Sequence, residues 1–261
     1  MTESEEDKHF RERREAEFLL ISPTNCGRTW LRLLLGRYFQ LMYKVKGDVD
    51  LHNLYHLSEV NPNIPSIKPI HERYGQFGTY KNKKVILLVR DPRDAIISKY
   101  MRSKRKAKYL ESHDDYSIDL REYVRTTEDF QGYFVQLIKD WQDNSNSAKD
   151  FLLVRYEDLR SDTLSEVVRI LDFISVPLEG NFLEQAIEFS SFDNMKKMEL
   201  EGSSLVKSGP MKGAKGKSPD LHKVRKGKIG GYREYLNEDE IAFVDRVVDL
   251  ELSQIYGRGS Y

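Results

Sequence analysis

Two stretches of this chain place anion-binding chemistry where a strand would end. The first, Ser22-Pro23-Thr24-Asn25-Cys26-Gly27-Arg28-Thr29-Trp30, follows the apolar run Phe18-Leu19-Leu20-Ile21 and precedes a helical pattern. A loop of this length over a helix N-terminus turns several backbone N–H groups toward one point, and those donors bind an anion together with the helix dipole. Its spacing is that of the phosphate loop G-x-x-x-x-G-K-[ST], with Ser22 at the first Gly and Arg28 at the Lys. Gly27 lets the backbone approach closely, Arg28 adds a full charge and Thr29 a hydroxyl donor. An ordinary strand-to-helix turn has a similar composition, so the loop alone leaves both readings open. The second stretch, Arg90-Asp91-Pro92-Arg93-Asp94, follows Val85-Ile86-Leu87-Leu88-Val89. Asp91 and Pro92 suit the N-cap and first position of a helix and need no further role. Arg90 is not explained that way. It stands at the carboxyl end of a buried strand, the edge where open α/β sheets bind ligands. Ser98, about two helical turns on, offers a second phosphate contact if the helix folds back toward Arg90.

The elements that position these groups are legible as patterns. Three short apolar runs, Phe18–Ile21, Val85–Val89 and Phe151–Val154, read as strands buried on both faces. Helical patterns cover about Arg28–Tyr43, Arg93–Arg105, Leu120–Asn144, Leu164–Ile174 and Glu238–Leu250. Strands alternating with helices predict an α/β fold, a central parallel sheet flanked by helices, of the kind that carries P-loops. Residues 1–17 read as a charged N-terminal segment and residues 18–261 as one domain. Residues 202–231, rich in Gly, Lys and Ser, read as a mobile loop or lid. The basic run at 99–108 reads, by itself, as a solvated helix face.

Composition narrows the class. The chain has 261 residues, 39% apolar and 32% charged, enough for a packed core under a solvated surface. Lys+Arg and Asp+Glu are equal at 42 each, so no overall field draws the chain to nucleic acid or to an acidic membrane. No apolar stretch approaches a membrane span, and the acidic first residues lack the form of a signal peptide. The single cysteine, Cys26, cannot form an internal disulfide. The expectation is a soluble cytoplasmic protein.

In these motifs the sequence resembles the sulfotransferases that use 3′-phosphoadenosine 5′-phosphosulfate (PAPS). The first loop is similar to their 5′-phosphosulfate loop, Y-P-K-S-G-T-T-W, and the second to their 3′-phosphate motif, R-N-x-K-D-x-x-x-S-x-Y. Three further segments follow in the same order: Phe151–Leu159, ending in Tyr-Glu-Asp-Leu; Ser190-Ser191-Phe192-Asp193-Asn194-Met195; and Arg225-Lys226-Gly227-Lys228-Ile229-Gly230-Gly231-Tyr232. The resemblance covers about residues 18–235. It implies that Asn25, Cys26, Gly27, Arg28, Thr29 and Trp30 hold the 5′-phosphosulfate end. It further implies that Trp30 and Phe192 sandwich adenine, that Tyr156 bonds its edge, and that Ser190 and Met195 complete the pocket. Arg90, Ser98, Arg225, Lys226 and Gly227 would clamp the 3′-phosphate, which favours several charge-assisted donors. The 202–231 loop would then order on nucleotide binding.

The resemblance also implies a base and a cation before the strand that leads to Arg90, where such enzymes carry K-T-H or a similar segment. Here the segment is Ile67-Lys68-Pro69-Ile70-His71, with Lys68 and His71 one residue further apart. His71 becomes the expected base, Lys68 its cationic neighbour, and Arg28 the third catalytic group. Asn25 departs from the pattern, because a Lys or Arg usually stands there, near the oxygen that bridges phosphate and sulfur. Arg28, in place of a small residue, is expected to supply the missing charge. No metal is assigned; His52 and His56 lack a third ligand of suitable spacing. The reading is transfer from PAPS, leaving 3′,5′-ADP, to a hydroxyl or amine of a small-molecule acceptor. Two alternatives stay open. One is a P-loop small-molecule kinase with Asp91 as its acid, and the other a non-catalytic nucleotide-binding relative marked by Asn25. Nucleic-acid binding fits less well than either. The acceptor is expected to meet the segments 41–80 and 102–125, and the oligomeric state has no signature.

Overall fold

The computed structural model describes residues 3–47, 49–110, 118–126, 128–201, 203, 205–207 and 227–257. Four parallel strands form one sheet in the order β2-β1-β3-β4: β1 Phe18–Ile21, β2 Ile67–Ile70, β3 Lys84–Val89 and β4 Asp150–Arg155. In register, Leu19 lies between Lys68 and Val85, and Leu87 between Ile21 and Leu153. The three expected strands are present, with Lys84, Asp150 and Arg155 added at their ends. The fourth, β2, was not expected, because Lys68 and Pro69 interrupt its apolar run. Proline is tolerated there because β2 is an edge strand.

Side chains alternate across the sheet, so each strand serves two cores. Leu19, Ile21, Val85, Leu87 and Val89 face one core, with Phe130, Phe134 and Trp141. Phe18, Leu20, Ile86, Leu88 and Val154 face the other, with Leu31, Leu34 and Tyr38. The helices are α1 Glu5–Glu15, α2 Arg28–Met42, α3 Leu54–Val60, α4 Pro92–Leu110, α5 Leu120–Thr126, α6 Gln136–Asp143, α7 Tyr156–Ser161, α8 Thr163–Phe173, α9 Gly180–Phe189, α10 Phe192–Glu201, α11 Glu238–Glu251 and α12 Ser253–Tyr256. Among the described residues, no helix is long and apolar enough to cross a membrane.

Two regions depart from the sequence reading. The single helix expected over Leu120–Asn144 is α5 and α6 with a π-helical stretch, Asp129–Val135, between them. Phe130 and Phe134 of this stretch pack in the same core as Leu137, Ile138 and Trp141 of α6, at the spacing of one apolar helical face, so the apolar pattern alone does not separate the π-helical stretch from a regular helix. The charged N-terminal segment contains α1, which docks through ions rather than an apolar face. Arg13 donates to both oxygens of the buried Glu72 at 2.7 Å, and Glu12 pairs with Lys68. Most of the 202–231 loop, including Arg225 and Lys226, lies outside the described residues; residues 227–231 lie within them.

Candidate active site

Because the strands are parallel, all four carboxyl ends meet one edge, and each delivers a different group there. β1 delivers the loop 22–27, β2 delivers His71, β3 delivers Arg90 and β4 delivers Tyr156. A cavity of about 530 Å³ opens at this edge. Asn25, Cys26, Gly27, Arg28, Thr29, Trp30, His71, Arg90, Ser98, Tyr156, Ser190, Phe192, Met195 and Gly227 all line it.

The first loop owes its shape to two left-handed residues, Asn25 at φ 61° and Gly27 at φ 87°. Asn is among the few side chains at home there, which gives Asn25 a backbone reason beside any chemical one. Such turns direct successive N–H groups into a concavity suited to anions. Cys26 is fully buried in the core and burial pushes its thiol up to about 12, so only its backbone faces the cavity chemistry. The Thr24 N–H donates to the Tyr133 hydroxyl at 3.2 Å, tying the loop to the π-helical stretch.

Arg90 and Tyr156 join the loop to the C-terminal motif. The Arg90 guanidinium stacks 4.8 Å from the Tyr156 ring centre and donates to the carbonyls of Asn25 (3.4 Å) and Lys228 (3.2 Å). Tyr156 donates to the carbonyl of Gly227 at 3.3 Å and meets Trp30 edge-on at 6.0 Å. Gly27 and Gly227, from motifs two hundred residues apart in sequence, press on opposite ends of this ring. A Cβ at 27 would sit 2.6 Å from Tyr156 Cδ2, and one at 227 would sit 2.9 Å from its hydroxyl. Asp94 completes the junction by accepting from the N–H groups of Gly230 (2.8 Å) and Tyr232 (2.9 Å). Trp30 and Phe192 make no ring contact with each other among the described aromatic pairs, although both line the cavity. The Ser190 hydroxyl is spent on the carbonyl of Ala186 at 2.9 Å in its own helix.

His71 sits at the other side of the loop. Its Nδ1 lies 2.6 Å from the carbonyl oxygen of Ser22, which can only accept, so Nδ1 carries the proton and donates. The lone pair of the neutral ring is therefore on Nε2, which accepts from Arg28 Nη2 at 2.6 Å. Burial pushes Arg28 down to about 10, and its Nη1 is buried without an acceptor. Arg90 Nε is in the same condition.

Lys68 is not at this site. It lies within β2, whereas His71 follows the strand's end, and it spends its charge on Glu12, with 13% of its side chain exposed. Asp91 does not line the cavity; it is fully buried, with its oxygens engaged by Arg93 Nε (2.9 Å) and Nη2 (2.7 Å), unlike an acid awaiting a metal–nucleotide. Of the two histidines to which no metal is assigned, His52 is buried before α3, and His56 is exposed and bonded to Glu59 at 3.1 Å. Sequence reasoning missed Arg32, Arg102, Arg160, Lys228 and Tyr232 on the cavity wall. For Arg32 and Arg102 a signal existed, since each follows an expected site residue, Arg28 or Ser98, by one helical turn.

Residues 15–256 match the family model described as the sulfotransferase domain. Sulfotransferase 2A1 of Rattus norvegicus is 30% identical over 166 residues, which are 63% of this chain and 55% of that protein. Flavonol 3-sulfotransferase of Flaveria bidentis is 24% identical over 182 residues, 66% and 55% respectively. The chain thus spans little more than half the length of these two relatives. Among solved structures, a mouse sulfotransferase complexed with PAP superposes at TM-score 0.62 with 16% identity, covering 92% of this chain and 85% of that one. A retinol dehydratase with retinol and PAP gives 0.67 at 16% identity, covering 94% and 82%. At these identities the structures establish the shared fold.

Proposed function

Because the chain belongs to the sulfotransferase domain family, we propose that it transfers the sulfuryl group of PAPS to a hydroxyl or amine of a small-molecule acceptor. The observation that carries this reading is the junction around Tyr156. There the first loop, Arg90 and Gly227–Lys228, from three distant parts of the sequence, converge on one cavity. The site suits an anionic nucleotide, because it buries an N–H group of Arg90 that has no acceptor of its own. Unanswered buried donors of this kind cost about 1–3 kcal/mol each, more when charged, until an acceptor arrives.

In this reading the loop N–H groups and Thr29 hold the 5′ end, and Arg90 with Ser98 holds the 3′-phosphate. Arg225 and Lys226, which the motif resemblance adds, would join them. Trp30, Phe192 and Met195 enclose the base. The bound nucleotide supplies the sulfuryl group. His71 Nε2 receives the acceptor proton, its tautomer held by the Nδ1 bond to Ser22. Arg28, released from His71, answers negative charge on the departing phosphate in place of a cation at Asn25. A cytosolic setting is part of the proposal.

The test is PAPS-dependent product formation over a panel of hydroxyl and amine acceptors, with magnesium and ATP as the control donor. Turnover with PAPS alone is the expected result. Arg28→Ala should lower turnover by about 10²-fold or more, the range for one electrostatic donor, while leaving 3′,5′-ADP affinity within a few-fold. Binding of 3′,5′-ADP without transfer to any acceptor would instead favour the non-catalytic reading that Asn25 raises.

A further inference from the structure

Helix α2 carries a second arginine, one turn beyond Arg28, that makes no hydrogen bond or ion pair with any described residue. Arg32 lines the same cavity and its Nε is buried without an acceptor. The carboxylate that attracts it, Asp50, is not in ion-pair contact. Its Oδ1 is already occupied by the N–H groups of His52 (3.1 Å) and Lys207 (3.2 Å). Burial pushes Arg32 down to about 9, and the like charge of Arg28 adds to the effect. Two guanidiniums at i and i+4 share a helix face. Both are half-buried, and each has one N–H buried without an acceptor, Nη1 of Arg28 and Nε of Arg32, a desolvation cost that an anion between them would offset.

Position says which anion. Arg28 touches Nε2 of His71, so the pair flanks the base. Trp30, on the side of the nucleotide base, lies about 200° away around the helix. The Arg32 guanidinium therefore faces the acceptor's side of the cavity. We propose that Arg32, with Arg28, forms an anion subsite beside His71 that selects acceptors bearing a carboxylate near the group to be sulfated. The fork geometry of a guanidinium matches a carboxylate in two parallel hydrogen bonds, a recognition that lysine does not reproduce. This inference rests on the sulfuryl-transfer reading and deepens it by naming the acceptor class.

The experiment uses wild type, Arg32→Met and Arg32→Lys. Calorimetry first measures 3′,5′-ADP binding to each. It then measures binding of three matched pairs to the nucleotide complex: 4-hydroxyphenylacetate, 12-hydroxydodecanoate and glucuronate, each against its neutral amide. PAPS-dependent rates follow with the same six compounds. The expected result is unchanged nucleotide affinity in both variants. At least one carboxylate should be preferred over its amide by about tenfold or more in wild type, the low end for a hydrogen bond to a charged group. That preference should vanish in Arg32→Met and survive in part in Arg32→Lys. Replacing a half-buried cation that makes no ion pair with a methionine of similar length should not lower the Tm, which separates this loss from a folding defect. Three results would each overturn the subsite: no carboxylate preferred in wild type, a preference that survives Arg32→Met, or acid and amide rates that fall alike. The last would put the guanidinium on the transferred group instead. Failure of wild type to bind 3′,5′-ADP would count against the sulfuryl-transfer reading, and the acid–amide comparison on the nucleotide-free protein would still test the pair.

Discussion

Gly27→Ala should damage both fold and site, and the structure says by how much. The new Cβ would stand 2.6 Å from Tyr156 Cδ2 and 3.0 Å from Cε2, against an optimum of about 3.5–4.0 Å between carbons. Ring or loop must therefore give by about 1 Å. The ring has little room: it is 8% exposed, lies under Arg90 and is bonded to Gly227. Overpacking of this kind costs about 1–3 kcal/mol, and holding alanine in the left-handed region adds about 1–2 kcal/mol. The total, about 2–5 kcal/mol, lowers the Tm of a domain this size by roughly 5–15 °C. The assay is a double-mutant cycle of Gly27→Ala and Tyr156→Ala by thermal unfolding. Without the ring, only the backbone strain of about 1–2 kcal/mol should remain. An equal cost in both backgrounds would refute the idea that the glycine serves to let Tyr156 approach.

Two further outcomes can be checked on the same footing. Burial, with a smaller contribution from Asp91, pushes Glu157 up to about 7 from an ordinary 4.5. The folded state then keeps a proton that the unfolded state has lost between those values, so stability falls as pH rises through that window, by about 3 kcal/mol. Glu157→Gln keeps an acceptor for the Asp91 N–H and should flatten this profile in denaturant unfolding at pH 5 and pH 8; parallel profiles would contradict the assignment. Lys68→Met leaves Glu12 buried, with Lys8 only at 4.0 Å, and should cost about 3 kcal/mol without lowering turnover. Lost turnover at full stability would return Lys68 to the active site.

The sequence made the strands β1, β3 and β4 legible because their apolar runs are unbroken and buried on both faces. It made the loop and Arg90 legible because both stand directly after those runs. β2 was illegible since Lys68 and Pro69 imitate a loop. The same segment misled the reading of Lys68. Lys68 lies inside β2 and pairs with Glu12, whereas His71 follows the strand's end, so their closeness in sequence does not bring them to one site. The π-helical stretch had no composition signature, and only its geometry brings Tyr133 to the Thr24 N–H. Arg32 was readable as a neighbour of Arg28, but that it makes no ion pair with a described residue is a fact of packing. No spacing encodes it.

The most direct measurement of the central claim is a calorimetric comparison of 3′,5′-ADP with 5′-AMP on the wild-type chain. If one cavity grips both phosphate-bearing ends, 3′,5′-ADP should bind with one-to-one stoichiometry and at least about tenfold more tightly, the contribution of one charge-assisted contact to the 3′-phosphate. Equal affinities, or no heat from either nucleotide, would contradict the account.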